Sequence, residues 1–326
     1  MSIATVADKR YIFIDYLKGI LIILVILGHL LPNSLEDNFC RYIIYSFHMP
    51  LFLFVSGYLL TQERIRNYTA KSLITKYFKR MLVPWIIAFI VFMGLQLYLN
   101  LISVDSLKQA IYYCLYPWYH LWFIPALLGM ILFLYIIQKL NFNIRNVLYL
   151  SFVFTFFWMI YQKENLIYAS PLFLGDKRMF YYFCFFCLGY CMRNKIIITK
   201  LSRINSLILV CSLFVLRAVD FYVSFPSIVS VPIFIIANIL LCLFILTMLE
   251  NNRLPLKREI VFLGVNSLPL YLWHVLPIWL MRVFELDIQQ PLLFYFTQII
   301  LLIVFVKLLD FVQKQRLFKI FLIGVA

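Results

Sequence analysis

Ten apolar stretches, most of them long enough to cross a lipid bilayer, dominate this sequence. A helix of about 20 apolar residues crosses the ~30 Å hydrocarbon core, and backbone in lipid has to satisfy its own hydrogen bonds. The connections are too short to hold a soluble domain. We therefore expect an all-α, polytopic transmembrane bundle that forms one domain over residues 1–326. The expected spans are 11–31, 42–61, 81–102, 118–138, 146–162, 179–193, 204–222, 228–249, 260–281 and 290–310.

The distribution of lysine and arginine predicts how these spans are oriented. The formal net charge of +15 would also suit a nucleic-acid-binding protein. The charge, however, follows alternate loops, which is the pattern that orients helical membrane proteins. With both termini in the cytoplasm, twenty of the 29 lysines and arginines lie on the inner side and seven on the outer side. We expect a multi-pass protein of the cell membrane, with lipids as partners and no nucleic acid.

The first span and the cysteines each have an ordinary interpretation. The opening MSIATVADKR runs into the first span without a small-residue cleavage site, so we expect that helix to be retained rather than removed as a signal peptide. Cys184, Cys187 and Cys191 have helical spacing but no neighbouring histidine. We expect them to be small buried residues, and we expect no metal site.

The first span carries three polar residues that a simple membrane anchor does not need. Asp15, Lys18 and His29 interrupt its apolar sequence. A charge inside hydrocarbon costs at least ~2.5 kcal/mol, so such residues usually face a partner or a cavity. Lys18 and His29 are eleven residues apart, which is about three helical turns and ~16 Å along the axis. They therefore share one face of the helix, and this face is expected to line a site.

All four histidines of the chain fall in the outer half of the membrane in this orientation. They are His29, His48, His120 and His274, each on a different predicted span. One histidine alone is as often a hydrogen-bonded packing residue as a functional one. Four at the same level favour a shared polar cavity.

The second span and the connector after it contain further candidates, each with a structural alternative. Pro50 should kink the helix beside His48, because proline lacks a donor and clashes one turn back. Ser56 is followed by a glycine, and two small residues in a row favour close helix packing. The Ser56 hydroxyl would also lie near the expected site. Lys79 and Arg80 in the basic connector reflect either positive-inside topology or a site for the phosphates of an anionic cytoplasmic ligand.

Aromatic and cationic residues mark the outer end of later spans. Trp122 beside His120 is typical of an interfacial aromatic belt, and it could equally stack on a sugar ring. Arg178 opens the predicted sixth span. His274 lies between two prolines, which predicts an irregular backbone where this span lines a cavity.

These residues resemble the motifs of the acyltransferase type 3 family of integral membrane acyltransferases, and more narrowly its fucose 4-O-acetylase-like branch. Asp15, Lys18 and His29 match the first-helix signature, although many members have arginine at the lysine position. FHMPLFLFVSGYL (47–59) matches the second-helix signature and KRMLVPW (79–85) the basic entry to the third. HLWFI (120–124) and SLPLYLWH (267–274) match looser motifs. The resemblance covers about residues 10–308.

The resemblance implies an O-acyltransferase that moves an acyl group, usually acetyl from cytoplasmic acetyl-CoA, to a hydroxyl of an extracytoplasmic or lipid-linked glycan. Acetyl-CoA would be the donor, and no cofactor would be bound permanently. His29 would be the general base, assisted by His48, with Lys18 held by Asp15. The donor would contact Lys79, Arg80 and Ser56. The acceptor would contact Trp122, Arg178, His274 and His120.

Several alternatives stay open at this point. A transporter of a sugar or lipid-linked glycan would also carry intramembrane charges, although transporters often show internal repeats and this sequence has none. Direct transfer and an acyl-histidine relay both fit the histidine pattern. Acetyl and succinyl donors, different acceptor hydroxyls and different oligomeric states are equally compatible with the sequence.

Overall fold

The computed structural model describes residues 6–31, 37–116, 120–164, 176–197, 203–251 and 257–313. These residues form helices joined by short turns, and they contain no strand. The first half of the chain comprises α1 (Val6–Leu30), α2 (Phe39–Tyr45), α3 (His48–Tyr58), α4 (Gln62–Asn67), α5 (Ala70–Tyr77), a π-helical turn (Phe78–Leu82), α6 (Val83–Tyr98), α7 (Leu107–Leu115) and α8 (Phe123–Lys139). The second half comprises α9 (Ile144–Glu164), α10 (Asp176–Arg193), α11 (Arg203–Val223), α12 (Ser227–Asn251), α13 (Arg258–Val265), α14 (Ser267–Trp273), α15 (Val275–Val283), α16 (Leu286–Gln289) and α17 (Pro291–Gln313).

The predicted all-α membrane bundle is confirmed. Six helical segments of the described chain are long and apolar enough to cross a membrane, and a seventh is formed if the bent pair α13 and α14–α15 counts as one span. The six are Ile12–Leu30, Phe39–Tyr58, Ala70–Tyr98, Ile144–Glu164, Ser227–Met248 and Pro291–Phe311. Helices α8, α10 and α11 cover the other predicted spans, although residue 118, where the fourth was expected to begin, lies outside the described residues. The count of ten spans stays a prediction.

Two pairs of helices pack with their backbones in contact, and glycines make this possible. A Cβ on Gly264 of α13 would lie 1.6 Å from the Asp15 carbonyl oxygen on α1, and a Cβ on Gly19 would lie 2.0 Å from the Ile260 carbonyl oxygen. On α3, a Cβ on Gly57 would lie 2.0 Å from the carbonyl oxygen of a residue of α10. Small residues are what allows such close approach in membranes. The glycines thus fix α1 against α13 and α3 against α10.

The second span is broken where the sequence predicted a kink. Helix α2 ends at Tyr45, and α3 begins at His48 after a two-residue turn. Pro50 lies in the first turn of α3 and provides no N–H for the carbonyl of Ser46, four residues earlier. The Ser46 carbonyl accepts instead from the Asn238 side-chain amide at 2.9 Å. The break places His48 at the start of a new helix, with its ring turned back towards α2.

The basic connector continues into the third span more directly than the sequence suggested. The segment Ala70–Tyr98 is one helical run, so α5 is not separated from α6 by a loop. Its π-helical turn precedes Pro84, which cannot donate to the carbonyl of Arg80. The N–H of Val83 bonds to the Phe78 carbonyl, which is five residues back. The wider turn thereby lets the helix pass the proline without ending.

The predicted ninth span is irregular beside His274, as its prolines indicated, and it also bends at Asn266, which was not predicted. It bends by 68° between α13 and α14, and it is interrupted again at His274 between α14 and α15. Asn266 at the first break is fully buried, and its side-chain amide donates to the Phe262 carbonyl at 2.8 Å. The second break leaves His274 at a turn within the bundle.

A buried ion pair ties α11 to α2 and α12. Arg217 bonds Asp220 at 2.6 Å, and both residues are more than 90% buried. Tyr42 and Ser230 also donate to the same Asp220 oxygen, at 2.9 and 2.6 Å. A buried ion pair contributes little net stability by itself, but removing one partner leaves a costly buried charge. These contacts are structural: they fix where the second span breaks.

Candidate active site

Three histidines from three different spans form one cluster. The ring centroids of His29 and His274 are 5.1 Å apart, those of His120 and His274 5.6 Å, and those of His29 and His120 6.3 Å. His29 lies in the last turn of α1, His120 just before α8 and His274 at the break between α14 and α15. The juxtaposition expected from the sequence is therefore present in the structure.

Backbone carbonyls fix the proton positions on three of the histidine rings. A carbonyl oxygen only accepts, so the ring nitrogen that it contacts has to donate. His48 Nδ1 donates to the Ile44 carbonyl at 2.7 Å, His120 Nε2 to the Leu272 carbonyl at 3.1 Å, and His274 Nδ1 to the Leu270 carbonyl at 2.9 Å. The opposite nitrogen of each neutral ring is then an acceptor. Among the described residues, His274 Nε2 is buried without a hydrogen-bond partner.

His48 joins the cluster through a tyrosine. The Tyr45 ring lies 4.8 Å from the His48 ring and 6.4 Å from the His29 ring, edge-on to both. His48 itself is 4% exposed. The four histidines therefore form one group, in which His48 is linked through Tyr45 and the other three are in direct ring contact.

A cavity of about 210 Å³ lies beside the histidine cluster and extends towards the Lys18 end of α1. Its wall is mostly apolar and comes from α1, α3, α8 and α14. Its polar lining consists of Lys18, Ser56, Arg64, Lys76, Tyr77, Arg80, Ser267 and Tyr271. Arg64, Lys76 and Arg80 make one mouth of the cavity basic, and most of the remaining lining is apolar, which suits a ligand with an anionic head and a narrow, largely apolar arm.

Helix α1 connects the cavity to the histidines along one face. Lys18 and Val25 both line the cavity, and His29 follows one helical turn after Val25. Lys18 Nζ donates to Asp15 Oδ1 at 2.8 Å, so the expected pair is formed. At ~1.5 Å per residue, about 6 Å along the helix separates Val25 from His29.

Tyr271 forms the boundary between the cavity and the histidines. It lines the cavity, its ring lies 5.5 Å from the ring of His120, and its hydroxyl donates to the His120 carbonyl. The Phe123 N–H donates to the same tyrosine oxygen at 3.3 Å. A ligand that extends from the basic mouth past Tyr271 would therefore reach the histidine rings.

Only some cations of the basic connector line the mouth of the cavity. Arg80 lines the cavity, as do Arg64 on α4 and Lys76 on α5. Lys79 is exposed and is not among the lining residues, so the structure brings only one member of the expected Lys79–Arg80 pair to the cavity. Arg64 and Lys76 were not singled out in the sequence. Lysines and arginines are common in all cytoplasmic loops of membrane proteins, so a ligand-binding cation cannot be told from one that only orients the helices.

The two outer residues expected at the acceptor lie together. The Arg178 guanidinium is 5.9 Å from the centre of the Trp122 ring, which also stacks near Tyr182 at 6.3 Å. Trp122 is adjacent to Phe123, which lines the cavity. The structure thus groups Trp122 and Arg178 with each other, close to the cavity wall but not in the histidine cluster.

Three aromatic residues of the site were missed by sequence reasoning: Tyr45, Phe92 and Tyr271. Phe92 is fully buried with its ring 5.2 Å from the His120 ring. Aromatics make up 19% of the sequence, so individual tyrosines and phenylalanines carry little signal. The proximity of Tyr271 to His274, three residues later on a helix with a break, was the available clue.

Comparisons with known proteins agree with the motifs. Two curated relatives are both called nodulation protein NolL. The one from Sinorhizobium fredii is 50% identical over 68 residues, and the one from Mesorhizobium japonicum is 40% identical over 67 residues. These alignments cover 19% and 18% of this chain, and the chain spans only about a fifth of the length of each relative. No solved structure matches the chain.

A family model described as an acyltransferase domain matches residues 11–309, nearly the whole chain. The match includes α1 with its Asp15, Lys18 and His29, the broken second span, the cavity and all four histidines. The chain therefore belongs to the acyltransferase domain family, the acyltransferase type 3 family that its motifs resemble.

Proposed function

We propose that this protein is a membrane O-acyltransferase that transfers an acetyl group from cytoplasmic acetyl-CoA to a hydroxyl of an extracytoplasmic or lipid-linked glycan. The family supports acyl transfer. The observation that carries the proposal is a cavity with a basic mouth whose lining includes Tyr271, because Tyr271 contacts the histidine cluster although none of the four histidines is itself a lining residue. We place the protein in the cell membrane with both termini in the cytoplasm, as the charge distribution favours.

The cavity suits a donor of this chemistry. Arg64, Lys76 and Arg80 would bind the phosphates of the nucleotide, since guanidinium and ammonium groups are the usual phosphate ligands in proteins. The apolar wall would hold the pantetheine-like arm. Lys18, about 16 Å from His29 along α1, lies part-way along this arm. Ser56 would offer a hydroxyl to the amides of the arm.

The chemistry that follows is transfer of an acyl group between sulfur and oxygen. His29 would take the proton from the acceptor hydroxyl as its oxygen attacks the thioester carbonyl. The carbon–oxygen ester bond forms as the carbon–sulfur bond breaks, and the proton moves from His29 to the departing thiolate. His120 and His274, whose rings surround His29, would orient it, and His48 would assist from the outer side.

On the acceptor side, Trp122 and Arg178 would bind the glycan. An aromatic ring beside a cation suits the apolar face and the hydroxyl edge of a pyranose. The acceptor would enter from the outer side, opposite the basic mouth. The fucose 4-O-acetylase-like motifs favour a deoxysugar or related pyranose as acceptor.

Transport of a sugar or lipid-linked glycan is the alternative function. A transporter would move the glycan across the membrane without modifying it. The cavity favours the enzyme, because most of its lining residues are apolar, whereas a sugar pathway would need polar groups along its length.

Reconstituted protein separates the two functions. Proteoliposomes with labelled acetyl-CoA at the basic mouth and octyl pyranosides as acceptors would be analysed by mass spectrometry. The enzyme is expected to produce an O-acetylated pyranoside, and liposomes without protein serve as the control. Accumulation of unmodified pyranoside across the membrane, with no acetyl ester formed, would contradict the proposal.

A further inference from the structure

We propose that Arg41 and Arg282 form a clamp that positions the last turn of α1, and with it His29, for the acyl transfer proposed above. Arg41 Nη1 donates to the Leu31 carbonyl at 3.0 Å. Arg282 Nη2 donates to the same carbonyl at 3.0 Å and to the Leu30 carbonyl at 3.2 Å. These carbonyls belong to the two residues that directly follow His29.

The clamp joins three of the four spans that carry histidines, those of His29, His48 and His274. Arg41 lies on α2, seven residues before His48 in the same broken span. Arg282 lies on α15, eight residues after His274 in its span. The end of α1 is therefore bonded to the spans that carry His48 and His274. Both of these spans are interrupted at or next to the histidine.

Other contacts hold the two arginines in these orientations. Arg41 Nη2 donates to the Tyr45 hydroxyl at 3.2 Å, and its guanidinium lies 4.9 Å from the Tyr45 ring that also contacts His29. Arg282 forms an ion pair with Asp287, whose Oδ2 lies 3.3 Å from Nε. Arg41 is 6% exposed, so its bonds form away from competing water.

Ordinary helix capping explains only part of this arrangement. The last carbonyls of a helix lack intrahelical donors and carry partial negative charge, so one cation would suffice to stabilise them. Here two arginines from different spans converge on the same carbonyl, immediately after the proposed base. The geometry required of a general base is strict, since a displacement of about 1 Å can lower a rate by about 100-fold.

Kinetics in proteoliposomes, with acetyl-CoA as donor and octyl pyranosides as acceptors, test the clamp. Arg282→Gln and Arg41→Gln are expected to lower kcat by about 10- to 100-fold while the KM for acetyl-CoA stays unchanged, because the basic mouth lies at the opposite end of α1. Arg282→Lys, which keeps the charge and can reach one carbonyl, should recover part of kcat. Arg145→Gln is the matched control, since Arg145 donates to the Ile196 carbonyl far from the histidines.

Three results would overturn the clamp. The first is an unchanged kcat in folded Arg282→Gln and Arg41→Gln proteins. The second is a raised acceptor KM with normal kcat, which would make the arginines part of the acceptor site. The third result applies if the Gln variants do not fold. In that case, a kcat of Arg282→Lys equal to that of the unmodified protein would overturn the clamp. Absence of acetyl transfer by the unmodified protein would instead contradict the proposed function on which the clamp rests.

Discussion

Lys18 occupies a costly position, since it is a cation within the first membrane helix. Its side chain is only 17% exposed, and Asp15 and the cavity are its polar surroundings. An i,i+3 pair alone contributes only a few tenths of a kcal/mol, so the pair does not by itself explain a charge at this depth. A ligand that binds in the cavity explains it better.

Removing the positive charge of Lys18 should make the protein less efficient with acetyl-CoA as the donor. We expect Lys18→Gln to lower kcat/KM for acetyl-CoA by about 10- to 100-fold, because hydrogen bonds to charged groups contribute ~1.5–3 kcal/mol and ~1.4 kcal/mol is tenfold. Lys18→Arg should retain most of the activity, because arginine keeps the positive charge in the cavity. Lys71→Gln, which removes an exposed lysine of α5 outside the cavity, is the control. Equal rates for Lys18→Gln and Lys71→Gln would refute the role.

At the scale of the elements, the contact between α1 and α13 determines where Asp15 and Lys18 lie. Gly264 packs against the Asp15 carbonyl so closely that a Cβ would overlap it. The neighbouring atoms are backbone, which cannot rotate away. The polar end of α1 and the inner half of the ninth span therefore form one rigid unit at the cavity.

A methyl group inserted at this contact should destabilise the protein. We expect Gly264→Ala to lower the Tm in detergent, since overpacking typically costs ~1–3 kcal/mol. Gly94→Ala on α6 is the matched control, because a Cβ there has no atom within 4 Å. Differential scanning fluorimetry of both variants compares them directly. A Gly264→Ala protein as stable as Gly94→Ala would show that α1 and α13 do not pack as described.

The sequence predicted where the helices lie, but it predicted only some of the breaks within them. Apolar length alone locates membrane helices, because lipid leaves no other way to satisfy a backbone. Prolines indicated the breaks beside His48 and His274. The 68° bend at Asn266 was not predicted, since no proline or glycine marks the residue itself and the bend depends on how α13 packs against α1.

At the scale of the whole molecule, the sequence identified the charged and histidine residues of the site but not their surroundings. Asp15, Lys18 and the histidines were conspicuous because polar groups are rare in membrane helices. Arg64 and Lys76 were not, since inner cations are expected from topology alone. Arg41 and Arg282 reach the end of α1 through tertiary contacts between residues 10 and 252 positions apart, which no local pattern reveals.

The orientation of the whole bundle in the membrane can be determined by labelling exposed residues on each side. Cys40, at the start of the second span, is exposed and is predicted to face outwards. In a variant that keeps only Cys40, an impermeant maleimide should label intact cells, because thiolates form in water. In a cysteine-free protein, Lys71→Cys should be labelled only after permeabilisation. The reverse pattern would invert the topology and place the basic mouth outside.

Acyl transfer by the protein without its proposed base tests the mechanism most directly. Proteoliposomes that contain His29→Gln and the unmodified protein at equal folded amounts would receive labelled acetyl-CoA and octyl pyranosides. We expect the unmodified protein to form the O-acetyl ester and His29→Gln to form it at least about 100-fold more slowly, as general-base catalysis contributes ~10²–10⁴-fold. Transfer by His29→Gln at the unmodified rate would contradict the role of the histidine cluster.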